Sequence, residues 1–250
     1  QQVKNAVTGR VVSDLVTQEQ NIARAKDMPR RACREEVEAA DICDLILTHS
    51  NITLALFHYF YPYLMGEIYP QPIWFGEWIH REALEYHDFA KPFGERDIDV
   101  LFVASSWARP EKNYRWLKKV IAALPSAAIH VVGEIEDKQK MLSARYHGLV
   151  TEREPLFRLM GRAKTVASPS LYDSAPGILF EAAAMDCNIV ASKNCGNWMI
   201  CNAQLLVDPC SPKAFTNANR LSLSKPFDDD MKFFLDTESY QKITEIIELI

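Results

Sequence analysis

Pro169-Ser170-Leu171-Tyr172-Asp173-Ser174-Ala175-Pro176-Gly177-Ile178-Leu179-Phe180-Glu181-Ala182-Ala183 reads as a strand end, a turn and the opening of a helix. Pro176 suits the first helical position, where its missing N–H costs nothing. Asp173 and Ser174 suit the capping region just before it. The N–H groups of Gly177, Ile178 and Leu179 then point out of the helix end, where the dipole favours an anion. Glu181 follows five residues after Pro176, roughly 7 Å along the axis at about 1.5 Å per residue. A diphosphate and the ribose of the same nucleotide are separated by about that much. A capped, proline-led helix is also an ordinary structural unit, and in that reading Glu181 is a solvated surface acid.

The segments on either side repeat one pattern. Asp99-Val100-Leu101-Phe102-Val103-Ala104-Ser105-Ser106 is an apolar run rich in strand formers. Trp107 to Asn113 follows as a loop, and Tyr114 to Leu124 has helical spacing. Ala128 to Glu134 reads as a buried strand closed by a glycine turn, and Glu154 to Ala163 as a helical stretch. Thr165-Val166-Ala167-Ser168 delivers the acidic turn; Asn188-Ile189-Val190-Ala191-Ser192 is the next strand, and Leu205 to Pro209 closes the series. Alternating strands and helices imply an α/β fold: a Rossmann-like parallel sheet with helices on both faces and ligands at the strand C-terminal ends.

The acidic turn resembles the Glu-(seven residues)-Glu motif of retaining GT-B glycosyltransferases, family 4 (group 1). That motif usually reads Pro-Ser-x-x-Glu-Gly-Phe-Pro-Asn-Val-Leu-x-Glu-Ala. Pro169, Ser170, Pro176, Glu181 and Ala182 match, and Asp173 stands where the first Glu is expected. The resemblance gives Glu181 the donor ribose and Asp173 the donor sugar. Asp is one methylene shorter than Glu, so its reach is reduced.

The loop after the first strand also resembles the family, which opens its donor domain with a basic loop ending in Lys-Asn or Lys-Gly. Lys112 matches the lysine that holds the diphosphate. Trp107 stands where the family arginine is usual, and Arg109 is its candidate replacement. A diphosphate leaving group calls for positive donors nearby. By the same resemblance the backbone after Gly148 meets the base, which makes Leu149 and Val150 base-site candidates. Ser106, Ser174, Gly177 and Ile178 complete the implied donor site. Asp186 and Asn188 replace a usual Gly and Pro after the acidic helix, and Cys195-Gly196-Asn197 stands where paired glycines are common. His130 and His147 read as structural or exposed side chains.

The resemblance divides the chain. Residues 1–77 would be the C-terminal part of an acceptor-binding domain, 78–98 the interdomain connection, 99–225 the donor-binding domain and 226–250 a helical tail. In the first segment Glu35 to Asp44 is expected to be helical, leading into a strand over Leu45 to Ser50. Phe57 to Tyr63 is a dense aromatic patch, read as interior packing or cleft lining, with membrane contact as the second reading. Ser239 to Ile250 has amphipathic helical spacing. The chain begins with Gln1 and is expected to be part of a longer protein.

Composition narrows the classes. With 250 residues and 48% hydrophobic content the chain can bury a sizeable core. A net charge of −5 without a basic stripe argues against nucleic acid. No apolar run reaches membrane-spanning length, and no leader peptide is legible. The six cysteines show no Cys-x-x-Cys spacing, which suits reduced thiols in a cytoplasmic protein, with peripheral membrane association as a second possibility. No zinc pattern is present, and Asp228-Asp229-Asp230 reads as a solvated loop. No Gly-x-Gly-x-x-Gly follows a strand, which disfavours a dinucleotide dehydrogenase.

The resemblance therefore implies a retaining, metal-independent glycosyltransferase without a cofactor. It would move a sugar from a nucleotide-sugar donor to a glycan, a lipid-linked acceptor or another hydroxyl. A sugar-nucleotide epimerase of the same fold and a non-catalytic nucleotide-sugar-binding subunit are the alternatives.

Overall fold

The structure, a computed structural model, describes residues 46–48, 68–70, 74–196, 198–208 and 211–227. The helix expected over 35–44, the aromatic patch at 57–63, the acidic triplet at 228–230 and the amphipathic stretch at 239–250 lie outside the described residues. The chain forms two compact units: residues 1–47 with 56–69, and 48–55 with 70–250. Strands β1 (Ile46–Thr48) and β2 (Ile68–Pro70) make a small two-stranded sheet.

The larger unit holds a six-stranded sheet of β3 (Ile98–Ser106), β4 (Ile129–Glu134), β5 (Ala144–Tyr146), β6 (Ala163–Ser168), β7 (Asn188–Ser192) and β8 (Leu206–Val207). Its order is β5-β4-β3-β6-β7-β8, and each pairing is parallel. The chain winds outward from β3 to β5, then returns to β6 on the other side of β3. The switch in direction thus falls between β3 and β6. In open α/β sheets the crevice at such a point, outside the strand C-terminal ends, is where ligands bind.

Both faces of the sheet are covered. Val100, Leu101 and Phe102 are each fully buried although successive side chains point to opposite faces. On one face lie α2 (Tyr114–Ala123) and α5 (Pro212–Ser222). Tyr114, Leu117, Val120 and Ile121 form the buried stripe of α2, at helical spacing. Trp116 of α2 meets Phe215 of α5 with ring centroids 5.7 Å apart. On the other face lie α3 (Arg153–Met160) and α4 (Gly177–Ala184), contributing Phe157, Met160 and Phe180 to a second core. α1 (Trp74–Leu84) packs against α4.

The helical stretch expected over 154–163 ends earlier. Gly161 and Arg162 turn the chain out of α3, and Ala163 already belongs to β6. Residues 85–97 run through two short 3-10 turns and are clamped by Arg96, which is buried. Its guanidinium donates to the carbonyls of Lys91 at 2.7 Å, Ala163 at 2.8 Å and Met185 at 2.9 Å. Carbonyls from three parts of the chain thus meet on one side chain, and Cys187 Sγ also lies 3.5 Å from it.

Candidate functional site

Two loops leave the C-terminal ends of the strands flanking the switch point. The first, after β3, runs from Trp107 into a 3-10 turn at Pro110–Lys112. Trp107 is buried and donates its indole N–H to the Val132 carbonyl at 2.9 Å. It is therefore a packing residue of the loop, not a donor to a ligand. Asn113 closes the turn in the left-handed region, with φ 56° and ψ 50°. Asn tolerates that conformation better than most side chains, so an Asn or Gly is suited to follow Lys112.

The second loop, after β6, carries the acidic turn. It is stitched to the first by the Leu171 N–H on the Glu111 carbonyl at 2.8 Å and by Asn113 Nδ2 on the Pro169 carbonyl at 3.0 Å. It is stitched to the loop after β7 by Ser192 Oγ on the Ser170 carbonyl at 2.7 Å and Asn194 Nδ2 on the Leu171 carbonyl at 3.0 Å. Asp173 itself forms a parallel bridge with Cys195. Its N–H donates to the Asn194 carbonyl at 3.2 Å, and its own carbonyl accepts from the Gly196 N–H at 2.8 Å.

This stitching corrects the local reading of the turn. Pro176 precedes the helix rather than opening it, with an extended ψ of 101°. Neither Asp173 nor Ser174 caps α4, which receives no side-chain cap. The Asp173 backbone is drawn to Cys195, and its carboxylate turns to Lys112, with which it forms an ion pair. The Leu179 N–H is also not free, since it donates to the Pro176 carbonyl at 3.2 Å. Among the described residues the N–H groups of Gly177 and Ile178 have no hydrogen-bond acceptor, so the anion-attracting end of α4 is narrower than the sequence suggests.

The other candidates fall as follows. Arg109 Nε bonds Glu111 Oε1 at 2.6 Å, inside its own loop. Ser106, at the end of β3, accepts from the Ala108 N–H at 3.4 Å. Gly148 lies beside β4, its carbonyl accepting from the Gly133 N–H at 2.7 Å. Leu149 is exposed, and Val150 packs on the core beneath α3 and α4. His130 and His147 face each other at 3.1 Å near the sheet edge, at the opposite end of β4 from Gly133.

Glu181 sits on α4, half-buried. Burial pushes its carboxyl above the ordinary carboxylate range; Arg153 draws it down and Glu82 pushes it up. Neither Glu82, on α1, nor Arg153, at the first position of α3, was singled out by the sequence. The only available signal was the nearness of Arg153 to Leu149 and Val150. In chemical terms the switch point offers a lysine with an aspartate partner, a helix end with open N–H groups and a desolvated acceptor-only carboxylate.

The family model of glycosyl transferases group 1 matches residues 97–224. Among solved structures, sucrose-phosphate synthase from Thermosynechococcus elongatus is similar with a TM-score of 0.60 and 15% identity, over 88% of this chain and 63% of that one. Anabaena Alr3699/HepE, in complex with UDP-glucose, is similar with a TM-score of 0.60 and 14% identity, over 90% of this chain and 69% of that one. WaaG, a glycosyltransferase involved in lipopolysaccharide biosynthesis, is similar with a TM-score of 0.53 and 14% identity, over 86% of this chain and 65% of that one. These likenesses establish a shared fold. The chain spans less than two thirds of the length of the synthase. No curated protein sequence matches it. Among the described residues no helix is long and apolar enough to cross a membrane.

Proposed function

This chain belongs to the group 1 glycosyl transferases, and from that premise we propose that it binds a nucleotide sugar at the switch point between β3 and β6. The proposed reaction is transfer of the sugar to a hydroxyl acceptor with retention of configuration and without a metal. The observation that carries this reading is the meeting of the Lys112 and Asp173 loops directly in front of α4, with Glu181 further along the same helix.

In this reading the diphosphate lies between Lys112 and the N–H groups of Gly177 and Ile178. Glu181 accepts the ribose hydroxyls, and Asp173 accepts a hydroxyl of the donor sugar. Leu149 and Val150 border the base, with Ser106 and Ser174 at the edges of the phosphate site. Arg109 joins the leaving group when its pair with Glu111 opens. The sugar–oxygen bond to the diphosphate breaks while the acceptor oxygen enters from the same face. The acceptor proton passes to the leaving phosphate, so no protein nucleophile takes part. Lys112 and the helix end stabilise the charge that develops on the diphosphate. The acceptor would be a glycan, a lipid-linked compound or another hydroxyl compound, and a cytoplasmic location with peripheral membrane contact fits this chemistry.

The test is a thermal-shift panel of UDP, GDP and ADP sugars, with UDP-glucose tried first. A bound ligand raises the melting temperature in proportion to RT ln(1 + [L]/Kd). A shift with one sugar nucleotide and a smaller one with its bare diphosphate is expected. No shift with any member at millimolar concentration refutes donor binding. Transfer is then assayed with radiolabelled donor and an acceptor extract, and product analysis without acceptor separates transfer from epimerisation.

A further inference from the structure

The inference below rests on the reading of Glu181 as the carboxylate that meets the nucleotide. Glu181 is half-buried and, among the described residues, accepts no hydrogen bond. A desolvated carboxylate of that kind is costly to keep charged. Two charged groups act on it. α1 and the turn after it run alongside α4, with Ile79 against Gly177 at one end and His87 paired with Asp186 at 2.9 Å beyond the other, which brings Glu82 of α1 level with Glu181. Glu82 in turn holds Arg153, the first residue of α3. Strand β7, beneath α4, brings no charged side chain. His80, also on α1, is buried and its charged neighbour is Asp186, beyond the far end of α4.

Arg153 is itself held in place. Its Nη2 lies 3.1 Å from Glu82 Oε2, and its guanidinium lies over the Phe157 ring at 5.4 Å. A cation in the first turn of a helix is opposed by the dipole. The dipole therefore does not account for its position there, whereas the Glu82 carboxylate and the Phe157 ring do.

We propose that Arg153 is a positioning residue for nucleotide binding: anchored by Glu82 and Phe157, it keeps Glu181 ionised and available to accept ribose hydroxyls. Hydrogen bonds to an ionised acceptor are the strong ones. Glu82 has a double role, since it fixes Arg153 and also presents a second negative charge to Glu181. The two residues therefore act on Glu181 with opposite sign.

The test uses the full chain, with carbon-13 NMR titration of the Glu181 carboxyl, assigned by its loss in Glu181→Gln, and calorimetry of UDP from pH 5 to 8. Differences between variants cancel the titration of the diphosphate itself. Arg153→Met should move the Glu181 midpoint up and weaken UDP roughly tenfold near the original midpoint. Glu82→Gln should move the midpoint down and leave UDP binding at neutral pH equal or tighter. Arg153→Lys should return the midpoint toward that of the parent. A purely structural role would weaken UDP uniformly without moving the midpoint. Midpoints that stay fixed, or that move in one direction in both variants, overturn the proposal. An unchanged UDP affinity in Glu181→Gln overturns the ribose reading instead, and the titration of the free chain still decides the relation between Arg153 and Glu82.

Discussion

Lys112 and Asp173 form an ion pair although 61 residues separate them in the chain. They meet because β3 and β6 are neighbours in the sheet and each strand ends in the loop that carries one of them. Both side chains are 17% exposed, so the pair is partly shielded from solvent. In the free chain, then, the cation of the anion site already carries a counter-ion. A diphosphate must compete with Asp173 for Lys112.

That competition separates two substitutions. Lys112→Ala removes a charge-assisted hydrogen bond of about 1.5–3 kcal/mol and should weaken the preferred nucleoside diphosphate roughly 10- to 100-fold. Asp173→Asn frees Lys112, so the bare diphosphate should bind as well or better, while the intact sugar nucleotide binds less well. Calorimetry with both ligands checks this. An unchanged affinity in Lys112→Ala would sink the diphosphate assignment.

Glu181→Gln should trade binding for stability. Burial raises the folded-state pKa of this carboxyl, so the folded chain holds the proton more tightly than the unfolded one. Stability therefore falls as pH rises from the ordinary glutamate range through the raised value. The Gln variant lacks that loss. Its melting temperature should exceed the parent's at neutral pH, with the difference closing on acidification, while its affinity for UDP falls. A parent more stable than the variant at neutral pH would contradict this.

His130 gives the opposite slope. Burial, then the neighbouring His147 and Arg145, lower its pKa from 6.5 to about 4. The unfolded chain binds more protons between those values, so stability should drop as pH falls from 6.5 toward 4. His130→Gln should flatten this part of the profile. Urea midpoints measured across the window, parent against variant, provide the check.

Gly133→Ala should be severely destabilising. Gly133 has φ 126°, and an added Cβ would lie 2.1 Å from the Ala104 carbonyl oxygen. Gly148, with φ 69° and open space around it, is the control. Gly148→Ala should cost only the left-handed strain, about 1–2 kcal/mol. Equal losses in the two variants would show that the contact with Ala104 is unimportant.

Arg96→Met should lower stability by at least about 2 kcal/mol, because the hydrogen bonds of a buried charged donor are lost and its acceptor carbonyls stay desolvated. Chemical denaturation measures it. A loss within experimental error would mean that water replaces the guanidinium at Lys91, Ala163 and Met185.

Many elements of the larger unit were legible because their signals are local, whereas α1, β5 and α5 were not read from the sequence. β3, β6 and β7 appear as short apolar runs, α2 as a stripe at Tyr114, Leu117 and Ile121, and the acidic turn as a proline-led helix start. At α5, which the sequence reading did not single out, Pro212 opens the helix and Ser211 accepts the Ala214 N–H at 3.2 Å. At α4 the proline-led start was displaced by one residue, because Asp173 was drawn into the bridge with Cys195 instead of a cap. A neighbouring strand competed with the local rule and won.

By itself, then, the sequence determined the kinds of element and their order, since periods of 2 and 3.6 residues depend only on which side chains each element must bury. It also placed Glu181 on the helix that begins at the acidic turn. Tertiary structure alone decided that β3 and β6 lie side by side, that Lys112 meets Asp173, and that Glu82 meets Arg153. The reason is physical. Strand order follows from covering both faces of one sheet by crossover connections, and no local pattern records which distant charge will be brought to a buried carboxylate.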